Sequence, residues 1–292
     1  QSEILKDKRI REALLRATDT SSILSNVFYN EGATLHSPFI SSFLSEEKET
    51  PALHNPETSN ALLEKAGWRW KSKVQSSKLK VENEEKPNNT EEFKTIGQDY
   101  RVKIKTETRK EGRKTIKTEV EAPLEITLVT AASPELTKTA DILKEQWEKV
   151  GFKVTLNILT PKELQEDWIK PRAYQALLFG QVFGKDPDPF VFWHSSQRQD
   201  PGLNLTSLAS DTIDRLLQEA RQTDDDIIRK QKYQKFAEEL QKDIPAIFLV
   251  NPNYLYTVSS EIQGVTSEFI VDPSKRFASI TEWYIKTKRG WR

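Results

Sequence analysis

The stretch Leu177 to Gln197, LLFGQVFGKDPDPFVFWHSSQ, sets two carboxylates among aromatic rings. Asp186 and Asp188 alternate with Pro187 and Pro189, and Phe183, Phe190 and Trp193 flank them. Proline fixes its own φ and restricts the residue before it, so both acids are held extended at low entropic cost. A preorganised carboxylate in a partly dry cleft pairs with an ammonium group, an interaction of about 1.5–3 kcal/mol. The neighbouring rings supply apolar walls and cation–π contact. The same pattern also reads as a rigid turn whose acids, Asp188 above all, cap a helix starting near Pro189. Asn204 has a similar double reading: it orients a polar ligand or bonds to backbone.

Other chemistry finds little support. The histidines are His36, His54 and His194, without the spacing of a zinc-binding helix, and no Gly-x-Ser-x-Gly elbow is present. The ten glycines form no phosphate loop, and zero cysteine excludes disulfides, Cys-zinc sites and thiol catalysis. No cofactor and no metal are expected.

The elements that must position these residues come from a chain of 292 residues, enough for one large or two medium domains. Hydrophobic residues make up 36% and charged residues 30%, with a mean hydropathy of −0.66. Lys plus Arg equals Asp plus Glu at 44 each, so no global field favours nucleic acid or an anionic membrane, though local patches remain possible. No apolar run reaches the roughly 18 residues of a spanning helix. The chain begins with Gln1 and has no Met, which reads as a processed or excised piece with any targeting segment upstream.

Helical spacing runs through residues 8–30, broken at Thr18-Asp19-Thr20. Gly32 to Thr50 reads as a loop. Asn55 and Pro56 start a helix with Ala61, Leu62 and Ala66 on its buried face, and Gly67 ends it. From Arg69 to Ala122 the chain carries 15 basic and 10 acidic residues; its first part is aperiodic, and its second predicts a polar β-hairpin turning at Glu111-Gly112. Leu124–Val129, a helix capped by Ser133 and Pro134, and Phe152–Leu159 predict strand, helix and parallel strand with a right-handed crossover. Leu136, Leu143, Trp147 and Val150 form that helix's stripe, and Gly151 closes it. Thr160-Pro161 opens a short helix, and Tyr174–Gln181 predicts a third strand. Two capped amphipathic helices follow over 210–222 and 224–243, then a strand, a turn and a strand over 244–258. The tail from Ser259 reads as irregular. The fold class is α/β.

Four stretches in this order resemble a known family: DKRIREALLRATDTSSIL, NPETSNALLEKAGW, DPDPFVFWHSSQ with GLNLTSLASDTIDRLLQEAR, and YQKFAEELQKDIPAIFLVNPNYLY. Together they resemble the C-terminal lobe of the extracytoplasmic solute-binding proteins of ABC transporters, the peptide/nickel-binding family 5. The resemblance implies a periplasmic-binding-protein-like type II (cluster C) lobe, a mixed sheet flanked by helices with a charged β-hairpin insertion. It implies a solute-binding lobe over 1–68 and 123–255, an insertion over 69–122, and a tail over 256–292 that returns to the first lobe. It also implies that Tyr29, His36 and Phe39 lie on a cleft-lining loop, beside Phe183, Asp186, Asp188, Trp193 and Asn204 as ligand-binding candidates. In peptide binders of the family an acid in the 180s loop receives the ligand's amino terminus. Here Gly180-Gln181 stands where the family has Gly-Trp, and Lys185 stands about where that acid falls.

The resemblance further implies a bacterial protein in the periplasm or on the outer face of the membrane as a lipoprotein. Its partners would be a peptide or other small solute and an ABC permease; it would be a monomer, bind no nucleic acid and catalyse nothing. Closure of two lobes on the solute would present both surfaces to the permease together. The alternatives are an interaction module that uses the charged hairpin and, more remotely, a metal-dependent hydrolase.

Overall fold

The computed structural model of the chain describes residues 2–39, 53–71, 100–111, 114–182, 188–266 and 273–285. Its helices are α1 (Glu3–Lys6), α2 (Lys8–Ala17), α3 (Thr20–Phe28), α4 (Pro56–Lys65), α5 (Pro134–Lys149), α6 (Pro161–Glu163), α7 (Phe190–Trp193), α8 (Asp211–Gln222) and α9 (Asp226–Asp243). Its strands are β1 (Gly32–Thr34), β2 (Arg69–Trp70), β3 (Arg101–Glu111), β4 (Lys114–Pro123), β5 (Glu125–Ala131), β6 (Lys153–Leu159), β7 (Ala176–Leu177), β8 (Val250–Pro252), β9 (Ile262–Gln263) and β10 (Tyr284–Ile285). Two compact units result: residues 1–19, 52–164 and 173–178, and residues 20–51, 165–172 and 179–292.

The first unit is organised by the expected crossover. β5 and β6 pair in parallel from Glu125↔Lys153 to Ala131↔Leu159. Between them Ser133 Oγ accepts the Leu136 N–H at 3.3 Å to start α5, and Gly151, at φ +98°, lets the chain reverse. Ala140, Leu143 and Trp147 form the helix's buried stripe, whereas Leu136, expected there, is only partly covered. Trp147 Nε1 donates to Thr18 Oγ1 at 3.0 Å, and that hydroxyl donates to Leu14 O at 2.8 Å, which ties α5 to the end of α2.

The third strand is shorter than the expected 174–181. β7 contributes only Ala176 and Leu177, paired in parallel with Leu128 and Val129, for a sheet order β6-β5-β7. Leu178 adds one more bond, N–H to Val129 O at 2.9 Å. The Thr130 hydroxyl donates to Leu178 O at 2.9 Å, and the pairing ends there although β5 runs on to Ala131.

Helix α4 starts as expected, with Asn55 Oδ1 accepting the Thr58 N–H at 2.9 Å. Its buried face is Ser59, Leu63 and Ala66; Ala61 is exposed. The reason is the Ser59 hydroxyl, which donates to Ala13 O at 2.7 Å and turns that face onto α2.

The hairpin forms as read. β3 and β4 pair antiparallel from Val102↔Pro123 out to Glu111↔Lys114, and β2 joins only at Val102 and Arg101. Gly112 of the expected turn lies outside the described residues. The hairpin's root is Arg101, whose side chain is fully buried. Its Nε donates to Val150 O at 3.0 Å, Nη1 to Trp68 O at 3.0 Å, and Nη2 to Asn60 Oδ1 at 2.8 Å. The guanidinium also stacks over Trp70 at 4.6 Å. Burial pulls its pKa below the ordinary value, and Glu64, 3.6 Å away, partly offsets that.

The second unit packs α8 and α9 around Phe39, Trp193, Leu208, Ile213, Leu216, Leu217, Tyr233, Phe236 and Leu240. Ser210 and Asp225 cap the two helices. The strand pair expected within 244–258 does not form among the described residues. β8 pairs instead with β1, antiparallel from Gly32↔Pro252 to Thr34↔Val250, inside the stretch read as a loop. In the tail β9 and β10 pair, and the rings of Phe277 and Trp283 lie 5.9 Å apart. Arg276 stacks over Phe277 at 4.6 Å and donates to Tyr254 Oη at 2.9 Å. Phe269 lies outside the described residues.

Replacing Arg101 by Met would keep the bulk but strand two buried carbonyls. The expected loss is about 3 kcal/mol of unfolding free energy, read from urea melts. A change within error would show that water reaches those carbonyls.

Candidate functional site

Phe179 to Val182 continue the chain directly beyond β7. They line an apolar concavity of about 240 Å³ with Phe192, Leu203 and Leu205. Phe179 is 47% exposed, Val182 74% and Leu203 46%, unusual values for such side chains clustered together.

Three local arrangements hold this surface. Asn204 lies between the two leucines and is fully buried. Its amide nitrogen donates to Trp193 O at 3.2 Å, His194 O at 3.1 Å and Leu208 O at 3.0 Å, while its oxygen accepts from Thr206 Oγ1 at 3.0 Å. Beside the buried Asn204, Leu203 is left exposed and Leu205 partly covered. The second arrangement starts at Asp188, whose Oδ1 accepts the Phe190 N–H at 3.0 Å and whose Oδ2 accepts Arg221 Nε at 2.8 Å. The Arg221 guanidinium lies 3.7 Å from the Phe190 ring centroid, and Phe190 stacks on His194 at 4.1 Å. The third is a polar network beneath that stack. His194 Nδ1 accepts the Ser196 N–H at 3.1 Å, and its Nε2 lies 2.9 Å from the Gln218 amide and 3.9 Å from Asp214 Oδ1. Asp214 also accepts the Ser195 N–H at 2.8 Å.

The residues singled out from sequence fall in different places. Phe183 and Asp186 lie outside the described residues. Asp188 is in the ion pair and turn just described. Trp193 and Phe39 come together in the core, both beside Phe236, with ring centroids 6.3 Å and 6.0 Å from it. Neither lines the concavity. Asn204 bonds to backbone, the second of its two readings. Tyr29 is 77% exposed with a left-handed φ of +55°. His36 is half-buried, and its Nδ1 is enclosed without a hydrogen-bond partner among the described residues. Burial alone pushes its pKa below the ordinary 6.5. Among the described residues no three metal-ligating side chains converge, and no helix is long and apolar enough to cross a membrane.

Residues 1–202 match the model of the bacterial extracellular solute-binding proteins, family 5 Middle. The chain belongs to this family. A curated relative, the oligopeptide-binding protein AppA of Bacillus subtilis (strain 168), is 22% identical over 289 residues, 98% of this chain and 45% of AppA. The solved structure of that AppA with a nonapeptide superposes with a TM-score of 0.69 at 21% identity, over 98% of this chain and 49% of AppA. NikZ from Campylobacter jejuni in complex with Ni(L-His) gives 0.65 at 19%, over 97% of this chain and 49% of NikZ. DppA from Helicobacter pylori in complex with the peptide STSA gives 0.64 at 16%, over 98% of this chain and 46% of DppA. The chain spans about half the length of these relatives. At these identities the solved structures establish the family 5 fold for this chain.

Sequence reasoning missed Phe179, Val182, Leu203 and Leu205. The alternation Leu203-Asn204-Leu205 was the available signal, since one polar residue between two leucines implies two faces. Arg221 carried no signal at all, because its partner is 33 residues away.

Two outcomes follow from these environments. Asn204→Asp exchanges a donor for an acceptor against three carbonyls, and should lower the unfolding free energy by about 2 kcal/mol or more at neutral pH. For His36, the folded state resists protonation more than the unfolded chain does. Its contribution is therefore complete above pH 6.5 and is lost as the pH falls below that value. His36→Gln should flatten the stability-versus-pH curve in that acidic window; identical curves for the two proteins would remove the assignment.

Proposed function

We propose that this chain is a ligand-capturing lobe of an ABC importer's solute-binding protein. It takes a peptide or a similar small polar solute, makes and breaks no bond, and delivers the solute to a membrane permease. It acts outside the cytoplasm, in the periplasm or at the outer face of the bacterial membrane, as a monomer and without nucleic acid. The family match over residues 1–202 carries this reading. The peptide complexes of AppA and DppA support the ligand class.

The concavity lined by Phe179–Val182, Phe192, Leu203 and Leu205 is the surface we assign to the ligand. Whole-ligand sites measure roughly 300–1,000 Å³. A concavity of about 240 Å³ accommodates part of a ligand, and its lining suits an apolar side chain. The rest of the grip would come from Phe183, Asp186, Tyr29 and His36, the remaining candidates from sequence. Closure by a hinge then couples solute capture to recognition by the permease, because only the closed form presents the complete docking surface.

Native mass spectrometry of the protein purified from its host should release a small solute. Leu203→Asp, which places a charge in the concavity without touching the core, should weaken binding of that solute about tenfold or more by calorimetry. Absence of any solute together with no response to a peptide library would overturn the reading.

A further inference from the structure

The lining of the concavity specifies what kind of group can enter it. Among the described residues around it, Phe179, Val182, Phe192, Leu203 and Leu205 are apolar, Gln181 carries an uncharged amide, and none is charged. Asp188 precedes α7, which bears Phe192, and its Oδ2 accepts Arg221 Nε at 2.8 Å, so its charge is already matched. A cationic or anionic side chain entering here would shed water and meet no opposite charge. An apolar one gains by the same loss of water.

Gly180 adds a second constraint. Its φ lies outside the left-handed region, so the backbone there does not require glycine. A Cβ at this position would meet no atom within 4 Å, so packing does not require it either. What the missing side chain leaves is bare backbone in the wall of the concavity, which a flat group can approach closely. Volume points the same way. A cavity of about 150 Å³ lined by leucine, isoleucine and phenylalanine takes up benzene. At about 240 Å³ this concavity has room for a larger ring such as phenol or indole. The quadrupoles of the Phe179 and Phe192 rings add an attraction that an aliphatic group does not receive.

We propose that the concavity is a subsite for an uncharged aromatic side chain of a peptide solute, a Phe, Tyr or Trp residue lying over Gly180 and against Phe179, Phe192, Leu203 and Leu205. The inference rests on the solute-binding reading above and adds the class of residue that the chain selects.

The test is calorimetry of the chain with Ala-Ala-Ala, with the three tripeptides that carry one Phe among alanines, and with the corresponding Lys and Glu sets. In at least one position Phe should tighten binding about tenfold or more over Ala-Ala-Ala, while Lys or Glu in that position gives no gain. Gly180→Val should abolish the gain from Phe, with an unchanged far-UV circular dichroism spectrum. Leu203→Lys, at a side chain already exposed, should make a Glu tripeptide the tighter ligand. Equal affinities for the Phe, Lys and Glu sets, or a Phe preference that survives Gly180→Val, would overturn the inference and leave the solute-binding reading standing. If no tripeptide of any set binds, the inference falls together with the peptide reading.

Discussion

Backbone carbonyls buried where no helix or strand can satisfy them are the constraint on which this structure turns. Apart from β3 and β4 the strands are at most seven residues long, so many of the described peptide groups fall outside regular ladders. An unsatisfied buried carbonyl costs about 1–3 kcal/mol, which a marginally stable chain cannot absorb many times. The solution recurs: a polar side chain with several donors is buried and fans out to several carbonyls. Arg101 serves Val150 and Trp68. Asn204 serves Trp193, His194 and Leu208.

Each of these clasps also positions something at the surface. Asn204 fixes the segment that carries Leu203 and Leu205, so a fully buried amide shapes an exposed apolar wall. Asp188 and Arg221 hold Phe190 flat against His194, which steadies the short helix that brings Phe192 to the same wall and Trp193 to the core. The proline-braced acid at position 188 thus acts through geometry. Arg101 does the same at the hairpin's root, bonding there to Val150 O and Trp68 O.

Membership of family 5 and the solved relatives account for the α/β framework. The framework does not determine the character of the surfaces. It leaves Leu203 46% exposed beside the fully buried Asn204.

Sequence alone determined the elements whose signals are local. Asn55 with Pro56, Ser133 with Pro134, Thr160 with Pro161, Ser210 and Asp225 each mark a helix start, because a cap bonds to a backbone group two or three residues on. The parallel β5–α5–β6 unit followed from the same local logic plus the handedness of crossovers. Tertiary structure decided everything that needs a distant partner. It cut the 174–181 strand to Ala176–Leu177, paired β8 with β1 across more than two hundred residues of chain, turned α4 onto Ser59, and sent Trp193 and Phe39 inward. A donor, a ring or a strand edge carries no address for a partner far along the chain. Which groups meet is fixed only when packing encloses a carbonyl or an apolar surface that must be matched.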